Sequence, residues 1–152
     1  MGVEHLISRR PRCRNCEKCG RLQLLGIDEG IPFRVEPLPL TVQAEIKAII
    51  GGRITYGAHV GYVCYRDAGR MSLDVKWGRP PVFATHKCHL PATADDIDPR
   101  GVDATMAFIA KVIAEQEHRD DPVETEKEVE ALFTISDLLA GRVVAEVEPA
   151  PF

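Results

Sequence analysis

Cys13-Arg-Asn-Cys16-Glu-Lys-Cys19-Gly20 and, far downstream, His86-Lys-Cys88-His89 are the stretches on which the fold turns. Two ligands three residues apart can grip one ion from a tight turn, and a second short pair can close a tetrahedron around it. If one ion is shared, the chain between them must fold back on itself. Glycine after the second cysteine of Cys16-x-x-Cys19-Gly20 allows a positive φ, so that backbone amides can turn toward the thiolates. The expected site is one Zn2+ per chain held by Cys16, Cys19, His86 and Cys88. Cys13 and His89 are alternates, which leaves six candidate ligands for four places.

Other uses of these residues carry less weight. Small cysteines often simply pack in cores, but three within seven residues favour a metal. The run Cys13-x2-Cys16-x2-Cys19 with a remote Cys88 also matches iron–sulfur ligation, against which stand Gly20 and the two distant histidines. A redox Cys-x-x-Cys lacks its βαβ surroundings. Cys64, between Tyr62 and Tyr65, reads as a buried small hydrophobe. There is no glycine-rich phosphate loop, nucleophile elbow or His-Glu-x-x-His, so the sequence offers no catalytic constellation and an enzyme is not expected.

With 152 residues, 45% hydrophobic and 28% charged, the composition is that of one globular domain with an appendage. No apolar run is long enough for a bilayer and the N-terminus has no signal-peptide layout, so no membrane association is expected. Five cysteines, three of them crowded together, suit a reducing compartment and a cytoplasmic location. Charge is divided unevenly. Residues 1–21 hold six Lys or Arg against two Glu, whereas residues 92–152 hold five basic against fifteen acidic. The basic end suits phosphate, and Arg9, Arg10, Arg12 and Arg14 are the candidate nucleic-acid contacts; the acidic end suits a protein surface.

Pro11 after two arginines predicts an extended basic arm over 1–12 that becomes ordered only at Cys13. Leu22 to Ile27 and Phe33 to Glu36 read as strands joined at Asp28-Glu-Gly30. Thr41 caps a helix whose Val42, Ile46, Ile49 and Ile50 form an apolar face, stopped by Gly51-Gly52. Ile54–Ala58, Tyr62–Arg66 and the alternating Met71–Trp77 read as strands, with Asp67–Arg70 as a hairpin turn. Val82–Thr85 then brings His86 and Cys88 back to the knuckle. Two helices follow, from about Pro99 to His118 on Val102, Met106, Ile109 and Ile113, and from Pro122 to Ala140. The fold class is α+β: over 13–91 a small zinc-stapled antiparallel sheet with one covering helix, then over 92–152 an acidic two-helix extension. Residues 99–140 are expected to self-associate or capture a protein partner outside the zinc domain's core.

Cys16 to Gly20, Pro39-Leu-Thr41, Gly52-Arg-Ile-Thr-Tyr56, Gly78-Arg-Pro80 and Ala84 to Cys88 together resemble a loose group of uncharacterised proteins of actinobacteria and their phages. The resemblance spans roughly residues 13–90. It implies metal ligation by Cys16, Cys19, His86 and Cys88 and implies no activity; Cys13, His89 and the acidic tail depart from it. The function expected is a non-enzymatic, zinc-binding adaptor, nucleic-acid-associated or regulatory. The competing reading is a phage structural, assembly or oligomerisation protein with a purely structural zinc, and an iron–sulfur or metal-dependent enzyme ranks third.

Overall fold

A hairpin bent around the knuckle opens the molecule: β1 (Arg9–Asn15) pairs antiparallel with β2 (Leu22–Asp28), and β2 with β3 (Ile31–Val35), in the order β1-β2-β3. The computed structural model describes residues 8–119. Strand pairing begins at Arg9, not Cys13, so the basic segment from Arg9 onward is sheet rather than an unpaired arm. Its inner face carries Cys13, which joins Leu24, Phe33 and Val35 in the core. Gly26 lies directly under Phe33, where a Cβ would come within 2.5 Å of the ring, so no larger residue fits without displacing it.

A second sheet, β5-β4-β6, is formed by β4 (Thr55–His59), β5 (Tyr62–Tyr65) and β6 (Val82–Ala84). The segment around β6 joins the two sheets: Thr55 faces Ala84 on one side, and Val35 bridges Thr85 on the other. The backbone bonds Glu36 N to Ala84 O (3.1 Å) and His86 N to Arg34 O (2.8 Å) complete that seam. Met71–Trp77 is not a strand. Asp67 accepts a hydrogen bond from Arg70 N (2.7 Å) and caps the short helix α2 (Ala68–Ser72), followed by α3 (Asp74–Trp77). The alternating Leu73, Val75 and Trp77 all stay exposed, because Asp74 is drawn inward to Arg66 and the chain coils around that contact.

Helix α1 (Val42–Ile50) begins at Thr41, whose hydroxyl accepts from Ala44 N, and stops at Gly51, as its capping residues predict. Its rotation is opposite to expectation. Ala44, Glu45 and Ala48 face inward, while Val42, Ile46, Ile49 and Ile50 are 52%, 52%, 42% and 81% exposed. A buried ion network sets this orientation. Glu45 pairs with Arg66 (2.6 Å) and Arg79 (2.8 Å), Arg66 also with Asp74 (2.7 Å), and Thr55 donates to Glu45 (3.3 Å). Burial pushes the Glu45 carboxyl up, but Arg66 and Arg79 outweigh it and hold the group below its ordinary value. Burying either charge without the other costs more than leaving aliphatic side chains in water, so the ion pair decides which face turns in.

The last described element, α4 (Val102–Glu117), forms where the apolar spacing predicts, but it does not lie outside the core. Ile109 and Val112 pack with Cys13, Leu22 and Tyr56, and Met106 and Ile113 lean against the same cluster. Gln116 closes the edge of β1 by accepting from Cys13 N (2.9 Å) and donating to Cys13 O (3.2 Å). Tertiary packing overrides the acidic charge that suggested an appendage. The helix expected over 122–140 lies outside the described residues. We predict that Ile109→Ala lowers unfolding stability by about 2–5 kcal/mol in denaturant titration; a change below about 0.5 kcal/mol contradicts the placement of α4 in the core.

Candidate metal centre

The knuckle is a closed turn between β1 and β2. Cys16 N donates to Arg21 O (2.9 Å) and Gly20 N to Cys16 O (2.8 Å), with Gly20 at φ +73°. That conformation is readily reached by glycine and strained for residues with a Cβ. Backbone amides of Cys19 and then Lys18 point at the Cys16 sulfur and, against the opposing effect of burial and with lesser help from Cys88 and His86, lower its thiol to about 6. The turn thus stabilises a thiolate before any cation is considered.

The seam between the sheets brings the other pair. After β6, His86 and Cys88 arrive beside the knuckle, and the ligand atoms of Cys16, Cys19, His86 and Cys88 all lie within 4.8 Å of one another. Cys16 Sγ is 3.6 Å from Cys88 Sγ, and His86 Nε2 is 3.4 Å from Cys19 Sγ and 3.5 Å from Cys88 Sγ. With metal–sulfur bonds of about 2.3 Å and metal–nitrogen bonds of about 2.0 Å, a regular tetrahedron has S···S edges of roughly 3.8 Å and S···N edges of roughly 3.5 Å. The group can therefore hold a single metal ion. Its sulfurs are too close to surround a multinuclear cluster. The Cys88 thiol is raised, first by its hydrogen bond to the Cys16 sulfur, which favours the protonated form, then by burial, with repulsion from the neighbouring thiolates adding least. A divalent cation removes that conflict.

Two residues missed in the sequence complete the centre. His86 Nδ1 is 2.9 Å from Glu36 Oε1, and both side chains are about 5% exposed, at 6% and 5%. Arg21 Nη1 lies 2.7 Å from the same Glu36 oxygen, while Arg21 Nη2 donates to the carbonyls of Lys87 (2.8 Å) and Cys88 (2.9 Å). Glu36 offered one faint signal, a charged residue between Val35 and Pro37 just past the end of β3. Arg21 offered none beyond adjacency to Gly20.

The remaining candidates are placed elsewhere. Cys13 is buried in the core on the opposite face of β1 from Arg12 and Arg14, and is not part of the ligand group. His89 is exposed and also lies outside the group. Cys64 sits on β5 opposite Gly57, partly buried, its thiol raised mainly by burial. Among the four arginines, Arg10 turns toward α4 and β5: it pairs with Glu115 (2.6 Å) and its guanidinium lies 5.7 Å over the Tyr62 ring. The register with β2 is irregular between Arg9 and Arg12, the stretch that contains Arg10. Arg9, Arg12 and Arg14 are exposed, and Arg14 pairs with Glu17. Arg34 on β3 was not foreseen; Leu25 faces Arg12 on one side and Arg34 on the other, so all three share one face.

No described helix is long and apolar enough to cross a membrane. Comparison of the chain with protein-family models, with curated proteins and with solved structures gives no match.

Proposed function

We propose that the chain is a zinc-binding, non-enzymatic adaptor in which the ion is structural and the outer face of the first sheet contacts nucleic acid. The observation that carries the metal half is the meeting of four soft and borderline donors within 4.8 Å of one another, with the Cys16–Cys88, Cys19–His86 and Cys88–His86 separations close to the edges of one tetrahedral ion. Three thiolates and an imidazole are a donor set for zinc, and four protein ligands leave no open position for a substrate. The nucleic-acid half rests on Arg12, Arg14 and Arg34, exposed residues that project from β1 and β3 on one face of the first sheet.

A second reading, an assembly or oligomerisation protein, is favoured by the exposed Val42, Ile46, Ile49 and Ile50 on α1. It moves the self-association expected of residues 99–140 to another helix, because the part of that segment over 102–117 is used in the core. Sedimentation equilibrium separates the readings: a dimer or larger species supports assembly, and a monomer removes it.

The purified chain is expected to contain about one zinc, by elemental analysis, and Cys88→Ser to lose it. At a free zinc concentration 1,000 times its Kd, the ion contributes about 4 kcal/mol to stability, so chelation should lower the unfolding midpoint markedly. Zinc-free protein of unchanged stability contradicts the metal half. For the other half, three neutralised phosphates give a log–log salt slope of about −2.7 on duplex DNA. Replacing Arg12, Arg14 and Arg34 by alanine should abolish that slope, while Arg10→Ala should leave it. Absence of binding at low salt contradicts the nucleic-acid half.

A further inference from the structure

We infer that Glu36 and Arg21 are positioning residues of the metal centre, Glu36 by setting the tautomer of His86 and Arg21 by fastening the two ligand pairs together; this rests on the metal-binding reading above. A carboxylate can only accept, so the 2.9 Å contact to Glu36 Oε1 places the proton of a neutral imidazole on Nδ1. Nε2 then carries the lone pair, and it is Nε2 that lies 3.4 and 3.5 Å from Cys19 and Cys88. Without Glu36 the ring could present either nitrogen or rotate. The buried carboxylate therefore selects the donor atom before an ion arrives.

Arg21 acts on the other half of the problem. It follows the knuckle directly, so its backbone is fixed by the bond from Cys16 N to Arg21 O. Its guanidinium reaches across to the distant pair's side, where Nη2 donates to the Lys87 and Cys88 carbonyls and Nη1 forms an ion pair with Glu36 without the alignment of a hydrogen bond. One planar fork thus joins both ligand pairs and holds the carboxylate that orients the third ligand. A lysine retains the charge but has a single nitrogen, which cannot reproduce this spread of contacts. Geometry, beyond charge, is what the position requires.

The test uses the full chain as wild type, Glu36→Gln and Arg21→Lys, with zinc affinity measured by competition against a chelator and imidazole 15N NMR recorded on each zinc-loaded protein. Wild type should show His86 protonated at Nδ1 and bound through Nε2. Each variant should hold zinc roughly 10- to 100-fold more weakly, with amide spectra showing a folded chain once zinc-saturated. Glu36→Gln should also shift the Nδ1 proton signal, since a neutral acceptor replaces the carboxylate; a merely structural role leaves that signal where it is. Zinc binding within twofold of wild type in both variants, or His86 bound through Nδ1, overturns the inference and leaves the metal reading standing. If wild type itself takes no zinc, the metal reading fails and the inference fails with it. Should Arg21→Lys not fold even with zinc, the near-isosteric Glu36→Gln decides.

Discussion

The knuckle side of the molecule turns on one meeting: Cys16 and Cys19 come together with His86 and Cys88, close enough to share a single metal ion. Neither pair can do this alone. The first is held by a five-residue turn whose amides favour a thiolate, and the second by a short strand segment shared between two sheets. The seam at Val35, Glu36, Ala84 and His86 is therefore both the join between the sheets and the means of carrying the distant pair to the knuckle. A small chain with two three-stranded sheets gains little from either sheet alone, and a shared ion at their junction would tie them at the point where strand pairing is shortest.

A second tie sits on the other side of β4. There Glu45, Arg66, Arg79 and Asp74 form a buried network linking α1 to β4, β5 and the helical turns before β6. Thr55 and Arg79 take part in it, which gives a structural role to two residues within the Gly52–Tyr56 and Gly78–Pro80 motifs. The network also explains the surface. By turning the Glu45 side of α1 inward it leaves four large aliphatic residues outside, a face that the hydrophobic effect alone would have buried.

Much of this was legible from residue types. Thr41 and Gly51 mark the ends of α1, Asp28-Glu-Gly30 marks a hairpin, and the two ligand pairs point to their own meeting. What could not be read depended on distant partners. The row Leu73, Val75, Trp77 has the period of a strand, yet Asp67 caps a helix and Asp74 serves Arg66, contacts invisible to a local pattern. The apolar face of α1 was correctly periodic but assigned to the wrong side, because Glu45's partners lie 21 and 34 residues away. The spacing of α4 gives its helix, but not its seat: the acidic charge around it suggests an exposed extension, whereas Ile109 and Val112 bury it against Cys13 and Tyr56. At the metal centre the donors could be named from spacing, whereas Glu36 and Arg21 became visible only when the strands were in register.

X-ray absorption at the zinc edge is the sharpest measurement, because it counts the donors around the ion rather than the ion. About three sulfurs at roughly 2.3 Å and one nitrogen at roughly 2.0–2.1 Å are expected. A shell of four sulfurs, which would require Cys13 or Cys64 to leave its strand, or one dominated by oxygen, would contradict that donor set.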